Sequence, residues 1–134
     1  MTDSSADEAQ RGAVGTYPVT AIDCPDPIAL AEFYGAVFGF AIAYESDDWV
    51  QLETSGAFGL AFQRVDDYLA PSWPSQEHPQ QMHVDVLVRD LDVAEARVLE
   101  LGARKHDTQP GEGNRVFLDP AGHPFCIVLD DSDE

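Results

Sequence analysis

Gln81-Met82-His83-Val84-Asp85-Val86-Leu87-Val88, followed by Arg89-Asp90-Leu91-Asp92, is the stretch around which the chain can be laid out. Read with a period of two, it sends Met82, Val84, Val86 and Val88 to one face and His83, Asp85 and Leu87 to the other. The first face is apolar enough to pack under a helix. The second carries an imidazole and a carboxylate two residues apart on one side of a strand. Asp90 then stands where a helix N-cap belongs, ahead of Leu91, Ala94, Val98 and Leu101 at helical spacing, and Gly102 ends the run. The unit is a strand feeding a helix, with its polar pair turned away from that helix.

The same plan occurs earlier. Tyr17–Cys24 reads as a strand with Pro18 near its start, where a missing N–H is tolerated. Asp26 as N-cap and Pro27 at the first helical position open a helix whose Leu30, Phe33, Tyr34, Val37 and Phe38 form one apolar stripe, and Gly39 stops it. Short strands follow at Phe40–Tyr44, Trp49–Glu53 and Ala57–Val65, with turns at Glu45–Asp48 and Thr54–Gly56. After the second helix come Ala103–His106, a Gly-rich turn at Pro110–Gly113, Arg115–Leu118, the turn Asp119-Pro120-Ala121-Gly122 and a last strand, Pro124–Leu129. The order is strand–helix–strand–strand–strand, twice, at a spacing near 64 residues between the two aspartate caps. A repeat of that length in two copies argues for two sheets facing each other about a pseudo-twofold rather than for a solenoid. Modules 17–65 and 81–130 are joined by Asp66–Gln80, which is long, rich in proline and without a period.

Composition bounds the partners. The 134 residues carry a net charge of −18, with 44% hydrophobic and 24% charged side chains. That suits one globular domain, and it argues against nucleic acid and anionic membrane surfaces, both of which need Lys and Arg. Residues 1–16 read as a mobile acidic tail. The acidic start and the absence of a long apolar run imply a cytoplasmic protein, in which Cys24 and Cys126 are free thiols rather than a disulfide framework.

Asp26-Pro27, Glu32-Phe33-Tyr34 and Phe38-Gly39 in the first half, with His83, Asp90-Leu91-Asp92, Leu101-Gly102 and Leu118-Asp119-Pro120-Ala121-Gly122-His123-Pro124 in the second, resemble the vicinal oxygen chelate superfamily. This superfamily includes glyoxalases, bleomycin- and fosfomycin-resistance proteins and extradiol dioxygenases. The resemblance covers Tyr17 to Leu129. It implies an α+β fold of two βαβββ modules, their curved sheets around a cleft and helices outside, commonly as a homodimer. It also implies a divalent metal held by two His and two Glu or Gln from the first and last strands of each half. By position those places fall on Val19, Gln63, His83 and Cys126. Val19 cannot bind a metal, and Cys126 as thiolate would favour a soft ion such as zinc over the magnesium, manganese or iron(II) common in the superfamily.

Two readings of function therefore stand. The first is a metal-free binding or resistance-type protein that takes a small organic molecule. The second is a metal-dependent lyase, isomerase or dioxygenase, with the ion at His83, Gln63 and a third group such as Cys126 or Asp85. If chemistry occurs, His83 is the expected acid/base group with Asp85 orienting it. Gln63, Trp49, Arg115 and Trp73 are the expected ligand contacts: an amide, an aromatic wall, a cation for an anionic group, and a stiff apolar contact between Pro71 and Pro74. The 66–80 loop is expected either to lie over the cleft or to pack on a partner subunit. His78 and His123 are read as exposed, and Cys126 equally as a small buried hydrophobe.

Overall fold

The computed structural model describes residues 19–53, 59–80 and 83–130. The expected tail at 1–16, the Thr54–Gly56 turn, and Gln81 and Met82 lie outside the described residues. Strands β1 (Val19–Cys24), β2 (Ile42–Glu45), β3 (Trp49–Leu52) and β4 (Gly59–Arg64), with helix α1 (Pro27–Phe38), build the first half. Strands β5 (Val84–Val88), β6 (Arg104–Lys105), β7 (Asn114–Leu118) and β8 (Pro124–Leu129), with helix α2 (Leu91–Glu100), build the second. The fold is α+β, with two four-stranded mixed sheets ordered β1-β4-β3-β2 and β5-β8-β7-β6. In each sheet the first and last strands run parallel and the other pairs antiparallel.

Local chemistry sets the helix ends. The Asp26 and Asp90 carboxylates accept from Ala29 N and Val93 N, so each satisfies a donor that the helix itself leaves free. Gly39 ends α1 at φ +77°, the left-handed conformation that costs a residue with a Cβ, and its N–H donates to Gly35 O. Gly35 is required by space instead: a Cβ there would sit 2.7 Å from Phe40 O.

The apolar stripe of α1 supplies the centre of the core. Leu30, Phe33 and Tyr34 are buried, with Val37 and Phe38 packed at the edge. Tyr34 stacks on Phe62 of β4 at a centroid distance of 5.7 Å. Phe33 meets Phe125 of β8 edge-on at 5.6 Å, so this helix packs on its own sheet and also reaches the second half. Val86 is buried towards α2, and Leu87 on the opposite face is 66% exposed, as the alternation of β5 requires. Each large aromatic buried here contributes on the order of 1.5–3 kcal/mol from its removal from water. No helix among the described residues is long and apolar enough to cross a membrane.

The register departs from the spacing read in the sequence. Cys24 pairs with Arg64, and Val88 pairs with Leu129. The first strands of the halves therefore superpose at an offset of 64 residues and the last strands at 65. Gln63 thus corresponds to Val128, and Cys126 to Ala61, so the expected equivalence of Gln63 with Cys126 is two residues out of step. Val19 lies opposite Gly59 and Gln63 opposite Asp23, four residues further along the strand. At about 3.3 Å per residue that separation is roughly 13 Å.

Candidate functional site: a cavity between the two halves

A cavity of about 800 Å³ opens between the halves. Thr20 and Ile22 of β1, Leu60 of β4, and Tyr34, Phe38 and Phe40 on and after α1 form its first wall. His83 just before β5, Val84 and Asp85 at its start, His123 of the β7–β8 turn and Pro124 at the start of β8 face them. The segment after β4 closes over the gap through Asp67, Tyr68, Leu69, Pro71, His78 and Pro79. The apolar wall follows from the core pattern, because Tyr34 and Phe38 belong to the same helical stripe that fills the interior. The polar groups come from strand ends and turns, where backbone leaves the sheet.

His83 and Asp85 sit as the alternation predicts, on one side of β5, with His83 Nε2 3.0 Å from Asp85 Oδ1, and both side chains are substantially exposed. Cys126 is opposite Asp85 in the β5–β8 ladder. One candidate donor atom from each of His83, Asp85 and Cys126 falls within 4.8 Å of the others. Burial raises the Cys126 thiol above its ordinary range, and the Asp85 charge and hydrogen bond add to this, so the neutral thiol is favoured there.

The other expected contacts lie elsewhere. Gln63 and Trp49 are paired neighbours on β4 and β3, and Trp49 Nε1 donates to Gln51 Oε1 at 3.4 Å. Neither lines the cavity. Arg115 turns to the helix side of its sheet, with Nη2 3.0 Å from Asp92 and Nη1 2.8 Å from Glu95 of α2. Trp73 packs edge-on against His106 at 5.1 Å, and the His106 ring nitrogen contacts Trp73 O. The 66–80 segment lies over the cavity, but Tyr68 rather than Trp73 is its aromatic contribution.

Four polar side chains to which sequence reasoning assigned no role here, Asp119, Tyr34, His123 and Tyr68, complete the site, and His123, read there as exposed, is half-buried. The Asp119 carboxylate is buried, 1% exposed. It accepts from Ala121 N and His123 N through Oδ1, and from the Tyr34 hydroxyl through Oδ2 at 2.7 Å. This turn folds the His123 ring back into the protein, half-buried, where Nε2 lies 2.6 Å from Asp23 O and 3.1 Å from the Tyr68 hydroxyl. Burial raises the Asp119 carboxyl, partly offset by its hydrogen bonds. Burial, with the Asp119 charge beside them, also raises the Tyr34 and Tyr68 hydroxyls, so both remain neutral donors. The available signal was Asp119-Pro120-Ala121-Gly122-His123 itself: an aspartate that caps its own turn holds whatever follows it in a fixed place.

The sequence from 19 to 128 matches the family model described as a glyoxalase-like domain. The chain belongs to the glyoxalase-like domain family. It is thereby a member of the vicinal oxygen chelate superfamily, whose duplicated βαβββ plan its two sheets share. Among solved structures it is similar to a glyoxalase-related enzyme from Fulvimarina pelagi, with 21% identity over 87% of this chain and 89% of that one and a TM-score of 0.63. It is also similar to a glyoxalase/bleomycin resistance protein/dioxygenase family enzyme from Burkholderia phytofirmans, at 18% identity, 83% and 95% coverage and a TM-score of 0.64. A glyoxalase family protein from Enterococcus faecalis aligns at 21% identity, 88% and 98% coverage and a TM-score of 0.61. At these identities the likeness is one of fold. No curated protein matches the sequence.

The metal arrangement implied for a glyoxalase-like protein does not fit the residues of this one. Val19 offers no donor, and Gln63 is four residues along β1–β4 from it, so among the described residues these two places of the first sheet present no paired ligands. The donors that do gather, His83, Asp85 and Cys126, all belong to the second sheet, and His83 Nε2 already engages Asp85.

Proposed function

We propose that this glyoxalase-like domain binds a small organic molecule in the cavity between its halves, without a metal ion. The cavity's size and walls carry this reading. A space of about 800 Å³ with apolar and aromatic sides and a few convergent polar groups is the usual form of a small-molecule site. Backbone-amide NMR during titration with small aromatic compounds tests it. Saturable shifts at Thr20, Ile22, Tyr68 and Val84, with Trp49 and Gln63 unmoved, are expected; shifts confined to the outer sheet faces would refute it. Elemental analysis of protein purified without chelator is expected to give substoichiometric metal.

A second reading, a metal-dependent lyase, isomerase or dioxygenase, is favoured by one observation, the gathering of His83, Asp85 and Cys126. There His83, Asp85 and Cys126 would hold the ion, which would supply Lewis-acid activation of the bound molecule. Stoichiometric zinc, manganese, iron or nickel that is lost in Cys126→Ala would establish this reading over the first. We further propose a homodimer, supported by the exposure of the large apolar Tyr44 and Leu87 side chains (57% and 66%) and checked by light scattering.

A further inference from the structure

We infer that Tyr68 is the specificity-determining hydrogen-bond donor of the cavity, so that its ligand is a neutral molecule with an apolar body and an acceptor oxygen such as a ketone carbonyl. The inference rests on the cavity being the binding site, and deepens that reading.

Its first support is a proton count. His123 Nε2 is 2.6 Å from the backbone carbonyl of Asp23. A carbonyl oxygen only accepts, so Nε2 carries a hydrogen. The Tyr68 oxygen, 3.1 Å from the same nitrogen, therefore meets an N–H and no lone pair. Its own hydroxyl hydrogen cannot go to His123. Tyr68 lines the cavity, and no other acceptor for that hydrogen is found among the described residues. That donor is left for whatever occupies the space. This holds whether His123 is neutral or protonated, because Nε2 keeps its hydrogen in both forms. His123 is thus a positioning residue, fixed in turn by the backbone bond from its N–H to Asp119.

The second support is charge. Asp23, Asp67 and Asp85 line the cavity, and among the described residues no Lys or Arg does. The whole chain carries −18. A carboxylate or phosphate ligand would approach these carboxylates with no Lys or Arg to receive it, whereas a neutral carbonyl would not be repelled.

Three probes of one skeleton test the inference by NMR titration: acetophenone, ethylbenzene and benzoate. Acetophenone is expected to bind about fivefold more tightly than ethylbenzene, the effect of one net hydrogen bond. Tyr68→Phe should bring acetophenone down to ethylbenzene and leave ethylbenzene unchanged, which also shows that the variant is folded. Benzoate should bind roughly tenfold more weakly than acetophenone at low salt, the gap closing as salt rises. Equal affinities for acetophenone and ethylbenzene in the wild type, or an equal loss of both in Tyr68→Phe, overturn the role of Tyr68. Benzoate as tight as acetophenone overturns the selection by charge. Absence of saturable binding by all three overturns the cavity reading itself, and this inference with it.

Discussion

The Tyr34–Asp119 hydrogen bond joins α1 of the first half to the β7–β8 turn of the second, and Tyr34→Phe isolates its contribution. The phenol donates to Asp119 Oδ2 at 2.7 Å, and both residues are 1% exposed. Phe preserves the ring and its packing on Phe33, Phe38, Phe62 and Phe125, so no cavity term enters. What is lost is one bond to a buried carboxylate, about 1.5–3 kcal/mol. For a chain of this length that lowers the melting temperature by about 5–12 °C. The pH dependence has a definite sign. Burial holds Asp119 above the ordinary carboxyl range, so the native state takes up this proton more readily than the unfolded chain, and the group adds stability as pH falls through its folded value. The Tyr34 hydroxyl pulls that value down, and its removal lets it rise further. The deficit of Tyr34→Phe should therefore be largest at neutral pH and shrink in acid. Urea denaturation from neutral to mildly acidic pH measures this. A deficit below about 0.5 kcal/mol, or one that does not vary with pH, refutes the assignment of a stabilising ionic bond.

Other variants test separate parts of the structure. Gly122→Ala puts a Cβ 2.8 Å from the Ala70 Cβ at a φ of +90°, so a loss of about 2–4 kcal/mol is expected, part of it recovered by Ala70→Gly; thermal melts decide. Asp26→Ala and Asp90→Ala should each cost about 1 kcal/mol through a lost N-cap, and additively, since they serve different helices. Arg115→Met should leave acetophenone affinity unchanged, because its guanidinium serves α2 rather than the cavity; a weakened affinity would restore Arg115 as a ligand contact. Burial pushes the Cys24 thiol up to about 11, so native protein should resist alkylation at that residue at pH 8, and stability should fall as pH rises from 9 towards that value; Cys24→Ala should flatten the fall.

The fold was legible because its cues are local. Asp26, Asp90 and Gly39 announced helix ends through bonds made within a turn, and the alternation around Val84–Val88 fixed which side of β5 faces a helix. The His83–Asp85 contact needed nothing beyond that period. The register of β4 on β1 was not legible. A slip of one residue exchanges buried and exposed faces and shows in the hydrophobic pattern, but a slip of two keeps every face intact. Gln63 and Cys126 could be aligned wrongly without offending any residue. Arg115 was misplaced because Asp92 and Glu95, its partners, sit on a helix 20 or more positions away. Tyr68 and His123 meet across 55 residues, a proximity that no spacing rule encodes.

The strand pairings have a consequence for how the polypeptide assembles. Among the described residues every ladder closes within its own half: β1 finds β4 some 40 positions away, β5 finds β8 at a like distance, and none joins a strand before residue 65 to one after residue 83. The chain entropy lost in making either sheet is thus that of a loop of moderate length, and doubling the polypeptide adds none to it. Backbone bonding imposes no sequence of events between the halves. Their mutual arrangement is left to side chains, so a cleft whose shape depends on that arrangement can be altered by substitution while both ladders remain whole.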